Sequence, residues 1–131
     1  MRSETVTTVL DAPAKDVFDY LSRIENLPEW ATEFARELTW EDGEAIVRNN
    51  LGALVFRVEA DARTGVIDML AGPSAEELAL FPTRVVELPG RKSAFTFTMF
   101  QWPGTPDELF ESQHAALGRE LVNVRTLFGG V

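Results

Sequence analysis

The chain has 131 residues, long enough for one domain to bury a full core without staples. It contains no cysteine, which excludes disulfides, thiolate chemistry, Cys-ligated zinc and iron–sulfur clusters. Lys and Arg total 12 against 21 for Asp and Glu, and the resulting formal charge of −9 repels phosphate backbones and anionic lipid surfaces, so neither a nucleic-acid partner nor membrane insertion is expected. No apolar run approaches the ~20 residues that span a bilayer. Met1-Arg2-Ser3-Glu4 leads straight into a strand pattern with no apolar signal region, and together with the absence of cysteine this suits a cytoplasmic protein.

Thr5 to Leu10 alternates β-branched residues and reads as a strand. Asp11-Ala12-Pro13-Ala14 stops it and opens a short helix whose buried face is Val17, Phe18 and Leu21. Leu27-Pro28-Glu29-Trp30 follows, where the proline interrupts and a second short helical segment is expected to run to Phe34. Trp30 reads as a packing residue that fixes these helices on a sheet. From Glu37 onward the pattern is strand after strand. Glu37–Glu41 and Ala45–Asn50 flank Asp42-Gly43, a strong hairpin signal. Leu54, Phe56, Val58 and Ala60 alternate with Val55, Arg57, Glu59 and Asp61, giving one apolar and one solvated face. Arg63-Thr64-Gly65 turns into Val66–Leu70, which Gly72-Pro73-Ser74 ends. Leu78–Leu88 is the next strand, bent or bulged at Pro82. Pro89-Gly90-Arg91 turns into Ser93–Trp102, with Phe95, Phe97 and Met99 on one face.

The last stretch reads as one long amphipathic helix. Thr105-Pro106-Asp107-Glu108 carries a capping-box signature, with Thr105 as cap and Glu108 answering it. Gly129-Gly130 supplies the stop. Phe110, Leu117, Leu121, Val124 and Phe128 recur at helical spacing, and His114, the only histidine, falls within that stripe. Pro106 to Phe128 spans roughly 35 Å at the helical rise per residue, enough to lie along a sheet of six or seven strands, roughly 30 Å across. The expected fold is α+β: a curved antiparallel sheet of six to seven strands wrapped around the long C-terminal helix, with two short helices after the first strand.

The strand ending in Asp11-Ala12-Pro13-Ala14, the following Val17-Phe18 and Leu21, Leu27-Pro28-Glu29-Trp30, and Phe110-Glu111-Ser112-Gln113 on the terminal helix resemble the START-like, or Bet v 1-like (helix-grip), superfamily. The branch most similar is the polyketide cyclase/dehydrase type. The resemblance covers residues 1–131 as a single START-like domain and specifies fold more than activity. It implies an elongated apolar cavity between sheet and long helix, with a lipid- or polyketide-like ligand and, in some members, cyclisation or dehydration. No catalytic residue carries over.

With the helix on the concave face, the expected cavity wall is Phe56, Val58, Phe95, Phe97 and Met99 from the sheet and His114, Leu117, Leu121 and Val124 from the helix. Arg84 shares the parity of Val86 and Leu88 and is also placed inward. His114 has two readings: a neutral core histidine bonded to a backbone carbonyl, or a polar contact or general acid–base facing a ligand. One histidine with neither HxH nor HExxH spacing gives no metal site. The glycines form neither GxGxxG nor a P-loop, and no serine sits in a GxSxG elbow, so no cofactor or Ser–His hydrolysis is expected. The acidic clusters Glu41-Asp42-Glu44 and Glu76-Glu77 serve solubility. The function expected is binding of a hydrophobic small molecule. The alternatives are an enzyme of the cyclase/dehydratase type with His114 as acid/base, and an interaction module or homodimer using Phe100 and Trp102 as outward-facing aromatics.

Overall fold

Alternating β-branched and aromatic residues place most of the chain in strands, and every strand named here joins the same antiparallel sheet. The structure is a computed structural model that describes residues 1–130. Its strands are β1 (Ser3–Leu10), β2 (Glu37–Glu41), β3 (Glu44–Asn49), β4 (Gly52–Asp61), β5 (Val66–Ser74), β6 (Glu77–Leu88) and β7 (Lys92–Phe100). Its helices are α1 (Ala14–Leu21), α2 (Leu27–Trp30) and α3 (Asp107–Phe128), with a 3-10 turn at Ile24–Asn26. The sheet order is β1-β7-β6-β5-β4-β3-β2, so β2 to β7 form a meander and β1 closes against β7. β1 and β2 lie on opposite edges, and α1 and α2 carry the chain between them. Asp42 and Gly43, at φ 53° and 80°, make the two-residue turn that the β2–β3 pair requires.

α3 lies across the inner face. Phe110, Leu117, Leu121 and Val124 are buried there with Phe56, Ile67, Met69 and Phe95 of the sheet. Phe128 packs edge-to-face on Tyr20, with ring centroids 5.4 Å apart. Burial of a side chain of this size contributes about 1.5–3 kcal/mol, so the stripe rather than intrinsic propensity holds the helix. Both ends are tied down. The carbonyl of Gly129, a residue at φ 75°, accepts the Asp11 N–H at 2.9 Å, and Gly130 bridges to Leu10. At the start, Thr105 does not cap: Pro106 occupies the N-cap position, and no side-chain cap bond forms. Gln101 Nε2 instead donates to the Thr105 carbonyl at 2.9 Å and to Asp107 Oδ1 at 2.6 Å.

Three local expectations are corrected. α2 ends at Trp30 and not at Phe34, as Ala31 leaves the helical region at φ −88° and ψ 57°; Pro28 sits in the first turn, where a missing N–H is harmless, and starts the helix rather than interrupting it. β5 continues through Gly72-Pro73 to Ser74, and the register irregularity lies here, between Ala71 and Ser74. β6 keeps its register with β5 through the Asp68↔Pro82 pair, so Pro82 makes no bulge. The ladder from β6 to β7 nevertheless stops at Thr83↔Phe97, beside Pro82, which has no N–H with which to continue it. Beyond that point β6 pairs only with β5, and the last residues of β7 pair only with β1. The sheet is forked.

Two glycines give opposite predictions. A Cβ on Gly72 would lie 1.7 Å from the Glu77 carbonyl oxygen, where the β5–β6 hairpin folds over it. Gly118, inside α3, has open space where its Cβ would be. Gly72→Ala is expected to lower stability by about 1–3 kcal/mol as the hairpin is forced apart. Gly118→Ala should raise it by about 0.5–1 kcal/mol. Urea unfolding midpoints of the two variants check both signs.

Candidate ligand cavity

The fork leaves the inner face of the sheet incompletely covered, and a cavity of about 370 Å³ lies there. Its sheet walls are Leu54 and Phe56 of β4, Met69 and Ala71 of β5, and the two arms of the fork: Ala79 and Phe81 on β6, Phe97 and Met99 on β7. Phe100 and Trp102 continue the β7 arm at the rim, with rings 5.7 Å apart. From the helical layer come Leu27, Trp30, Ala31 and Phe34. The aromatic walls brace one another at ring separations of 6.1 Å for Phe81–Phe97 and 5.8 Å for Phe34–Phe56.

α3 contributes Gln113, Leu117 and Glu120, and the reason is the roll of the helix. Taking Phe110 as the centre of the stripe, Gln113 and Glu120 lie roughly 60° and 80° to one side, and His114 roughly 40° to the other. The first side meets the cavity; the second meets β1. Gln113, Glu120 and Thr105 are the polar side chains of the lining, and no lysine, arginine or histidine lines it among the described residues.

Glu120 is only 5% exposed. Its Oε2 accepts the backbone N–H groups of Glu33 at 3.1 Å and Phe34 at 3.0 Å, in the segment after α2. Burial raises its pKa, the two N–H bonds act the other way, and the neighbouring Glu33 carboxylate adds to the rise. Arg119 pairs with Glu33 through both carboxylate oxygens, at 2.8 and 2.7 Å, which lowers the Glu33 pKa. Asn123 Nδ2 donates to the Trp30 carbonyl at 2.9 Å, and Asn49 Nδ2 of β3 donates to that of Phe34 at 2.8 Å. The segment 31–35 is thus clamped between α3 and β3 and presents Phe34 to the cavity.

Of the residues placed in the wall from sequence, Phe56, Phe97, Met99 and Leu117 are brought together around the cavity. Phe95, Leu121 and Val124 face inward but are sealed in the core beneath it; Phe95 packs edge-to-face under Trp30, at 5.9 Å. Trp30 is therefore both the packing residue expected and part of the floor. Val58 is half-buried, packed against the core away from the cavity. Arg84 is corrected: Thr83 and Val85 are the buried residues of β6, so Arg84 is on the outer face, where its Nε donates to the Thr64 carbonyl at 3.2 Å. The parity shifted because Val86 and Leu88 are apolar yet only partly buried. His114 is corrected too: its side chain is 37% exposed, and its Nε2 lies 3.9 Å from Glu4 Oε2 on β1. It joins a cluster in which Arg2 bonds Glu111 at 3.2 Å and stacks over Phe110. Phe100 and Trp102 both line the cavity rim, and Trp102, 37% exposed, also faces outward as expected. The residues that sequence reasoning missed include Leu54, Met69, Ala79 and Phe81 on the sheet, and Glu120, Gln113 and the segment 31–35 on the helical side. Glu120 had a visible signal, since it lies three residues after Leu117 and four before Val124, on the buried stripe.

No family model matches the sequence, and no curated protein matches it. Solved structures do match its shape. XoxI from Bacillus cereus is similar with a TM-score of 0.76 at 15% identity, over 98% of this chain and 96% of that one. The Zhui aromatase/cyclase from a Streptomyces species is similar with a TM-score of 0.64 at 19% identity, over 99% of each chain. A START superfamily protein from Mycobacterium smegmatis is similar with a TM-score of 0.62 at 14% identity, over 95% of this chain and 98% of that one. The chain has the START-like, helix-grip fold. Among the described residues no helix is long and apolar enough to cross a membrane.

The clamp has a pH signature. Glu120 binds its proton more tightly folded than unfolded, so its ionisation subtracts stability as pH rises above the ordinary glutamate value of 4.5. Glu120→Gln removes this term, while the opposite contribution of Glu33, present at high pH and lost on acidification, remains in both proteins. The stability of Glu120→Gln relative to wild type is therefore expected to improve as pH rises above about 4.5 and to level off once Glu120 is ionised in the folded protein as well. Urea titrations of both proteins across that range provide the measurement.

Proposed function

We propose that the protein binds a hydrophobic small molecule, lipid- or polyketide-like, in the cavity between the sheet and α3. The observation that carries this reading is a space of about 370 Å³ walled by aromatic and aliphatic side chains, with polar side chains confined to the α3 side and the rim. That volume falls within the range of about 300–1,000 Å³ usual for small-molecule sites. The makeup is also usual: apolar walls supply affinity, and a few polar groups supply orientation. The similarity to a protein described as an aromatase/cyclase and to a START superfamily protein supports the same reading. Catalysis by His114 finds no support in the geometry, because the ring lies on the β1 side of α3, outside the wall. Binding without chemistry is the reading favoured.

Ala79, on the β6 arm of the fork, is half-buried and lines the cavity, so a large side chain there fills space without displacing the sealed core. Ala79→Trp should abolish binding of the neutral fluorophore N-phenylnaphthylamine while leaving the thermal midpoint close to that of wild type. A folded Ala79→Trp that binds the fluorophore as wild type does would remove the cavity as its site.

A further inference from the structure

Glu120 is the polar group of this cavity least explained by packing. A buried carboxylate in an apolar wall is costly unless its oxygens find donors. Two donors are supplied to Oε2 by the backbone of Glu33 and Phe34. Oε1 has no protein partner, and it is not among the sealed unpaired atoms, which are the hydroxyls of Thr8 and Ser93. Its residue lines the cavity. The residue is therefore 95% withdrawn from solvent and belongs to the cavity wall, and Oε1 is its one oxygen that no protein donor meets and that is not sealed.

The surroundings decide what could meet that oxygen. Arg119 is committed to Glu33 on the outer side of the clamp. The other polar side chains of the lining, Gln113 and Thr105, are uncharged, and no cationic side chain lines the cavity among the described residues. A ligand carboxylate would bring a second anion into an apolar space without a counter-charge. A hydroxyl or an ammonium group would give Oε1 its missing donor.

We propose that Glu120 is a ligand-binding residue that selects apolar molecules ending in a hydrogen-bond donor, an alcohol, phenol or protonated amine, and rejects those ending in a carboxylate. The inference rests on the cavity reading above and adds to it the polarity of the ligand and its direction: the donor end towards Glu120 on α3, the apolar body towards Phe81, Phe97 and Met99 at the fork.

The test is displacement of N-phenylnaphthylamine by decanol, decylamine and decanoate at neutral pH, three molecules with the same chain and different ends. Wild type is expected to bind decanol and decylamine more tightly than decanoate by on the order of tenfold, the value of one hydrogen bond to a charged group. Glu120→Gln keeps the size of the side chain and an oxygen that accepts from Glu33 and Phe34, but removes the charge. In that variant the gap should narrow several-fold, mainly because decanoate binds better. Equal displacement by all three in wild type, or decanoate binding best, overturns the Glu120 assignment and leaves the cavity reading intact. An unchanged ranking in a folded Glu120→Gln does the same. Failure of the fluorophore and of every competitor to bind wild type overturns the cavity reading, and this inference with it. The wild-type ranking decides the matter even if the variant does not fold.

Discussion

A carboxylate withdrawn from water has to be given donors, and in this protein that requirement shapes one side of the molecule. Glu120 takes its donors from the backbone of Glu33 and Phe34, so the segment after α2 must approach α3 closely. Arg119 and Asn123 then bind the same segment from the neighbouring turn of the helix, and Asn49 holds it from β3. α3 is thereby fixed in rotation as well as position. That rotation turns Gln113, Leu117 and Glu120 to the cavity and His114 to Glu4 on β1. An apolar stripe alone tolerates a roll of some tens of degrees, because neighbouring ridges are interchangeable. A buried hydrogen-bonded charge does not.

The second constraint acts in the sheet. Thr83↔Phe97 is the last pair between β6 and β7, and the residue before Thr83 is a proline. On one side of the fork β6 stays with β5; on the other, β7 stays with β1. The sheet therefore keeps its outer pairings while opening at one end, and the aromatic residues of the two arms line the opening instead of a closed core. Gly72 has a complementary part: its missing side chain allows the β5–β6 hairpin to fold back to within bonding distances of where a Cβ would be. A backbone donor absent at one position and a side chain absent at another together set the space.

Much of this was legible in the sequence, for reasons that can be named. Strand alternation placed Phe56, Phe97 and Met99 inward because period-two patterning survives whenever one face of a sheet is buried. The Asp42-Gly43 turn was readable because both residues tolerate positive φ. Arg84 was misplaced because Val86 and Leu88 look like core residues, whereas the buried neighbours on that strand are Thr83 and Val85. The Thr83 hydroxyl is buried at no cost, since it donates to the Ile67 carbonyl at 2.6 Å, a pairing that only tertiary structure supplies. His114 and Glu120 exchanged roles for a related reason. Both fall near the stripe, and hydrophobicity favours burying the imidazole over the carboxylate. The deciding donors belong to Glu33 and Phe34, more than eighty residues away in the chain.

The size of the cavity bears on what occupies it. At about 24 cal/mol per Å³ an empty sealed void of 370 Å³ would cost about 9 kcal/mol, as much as the whole stability of an ordinary domain. A space of this size cannot be sealed and vacant. Water meets good partners only near Gln113, Glu120 and Thr105, and along the walls of Phe81, Phe97 and Met99 it would have none. Water along such walls would be poorly held, and displacing poorly held water from an apolar surface favours binding. The proposed orientation of an apolar molecule rests on the same asymmetry. An apolar chain would gain most where water is least satisfied, at the fork, and a donor end would lose least beside Glu120 Oε1.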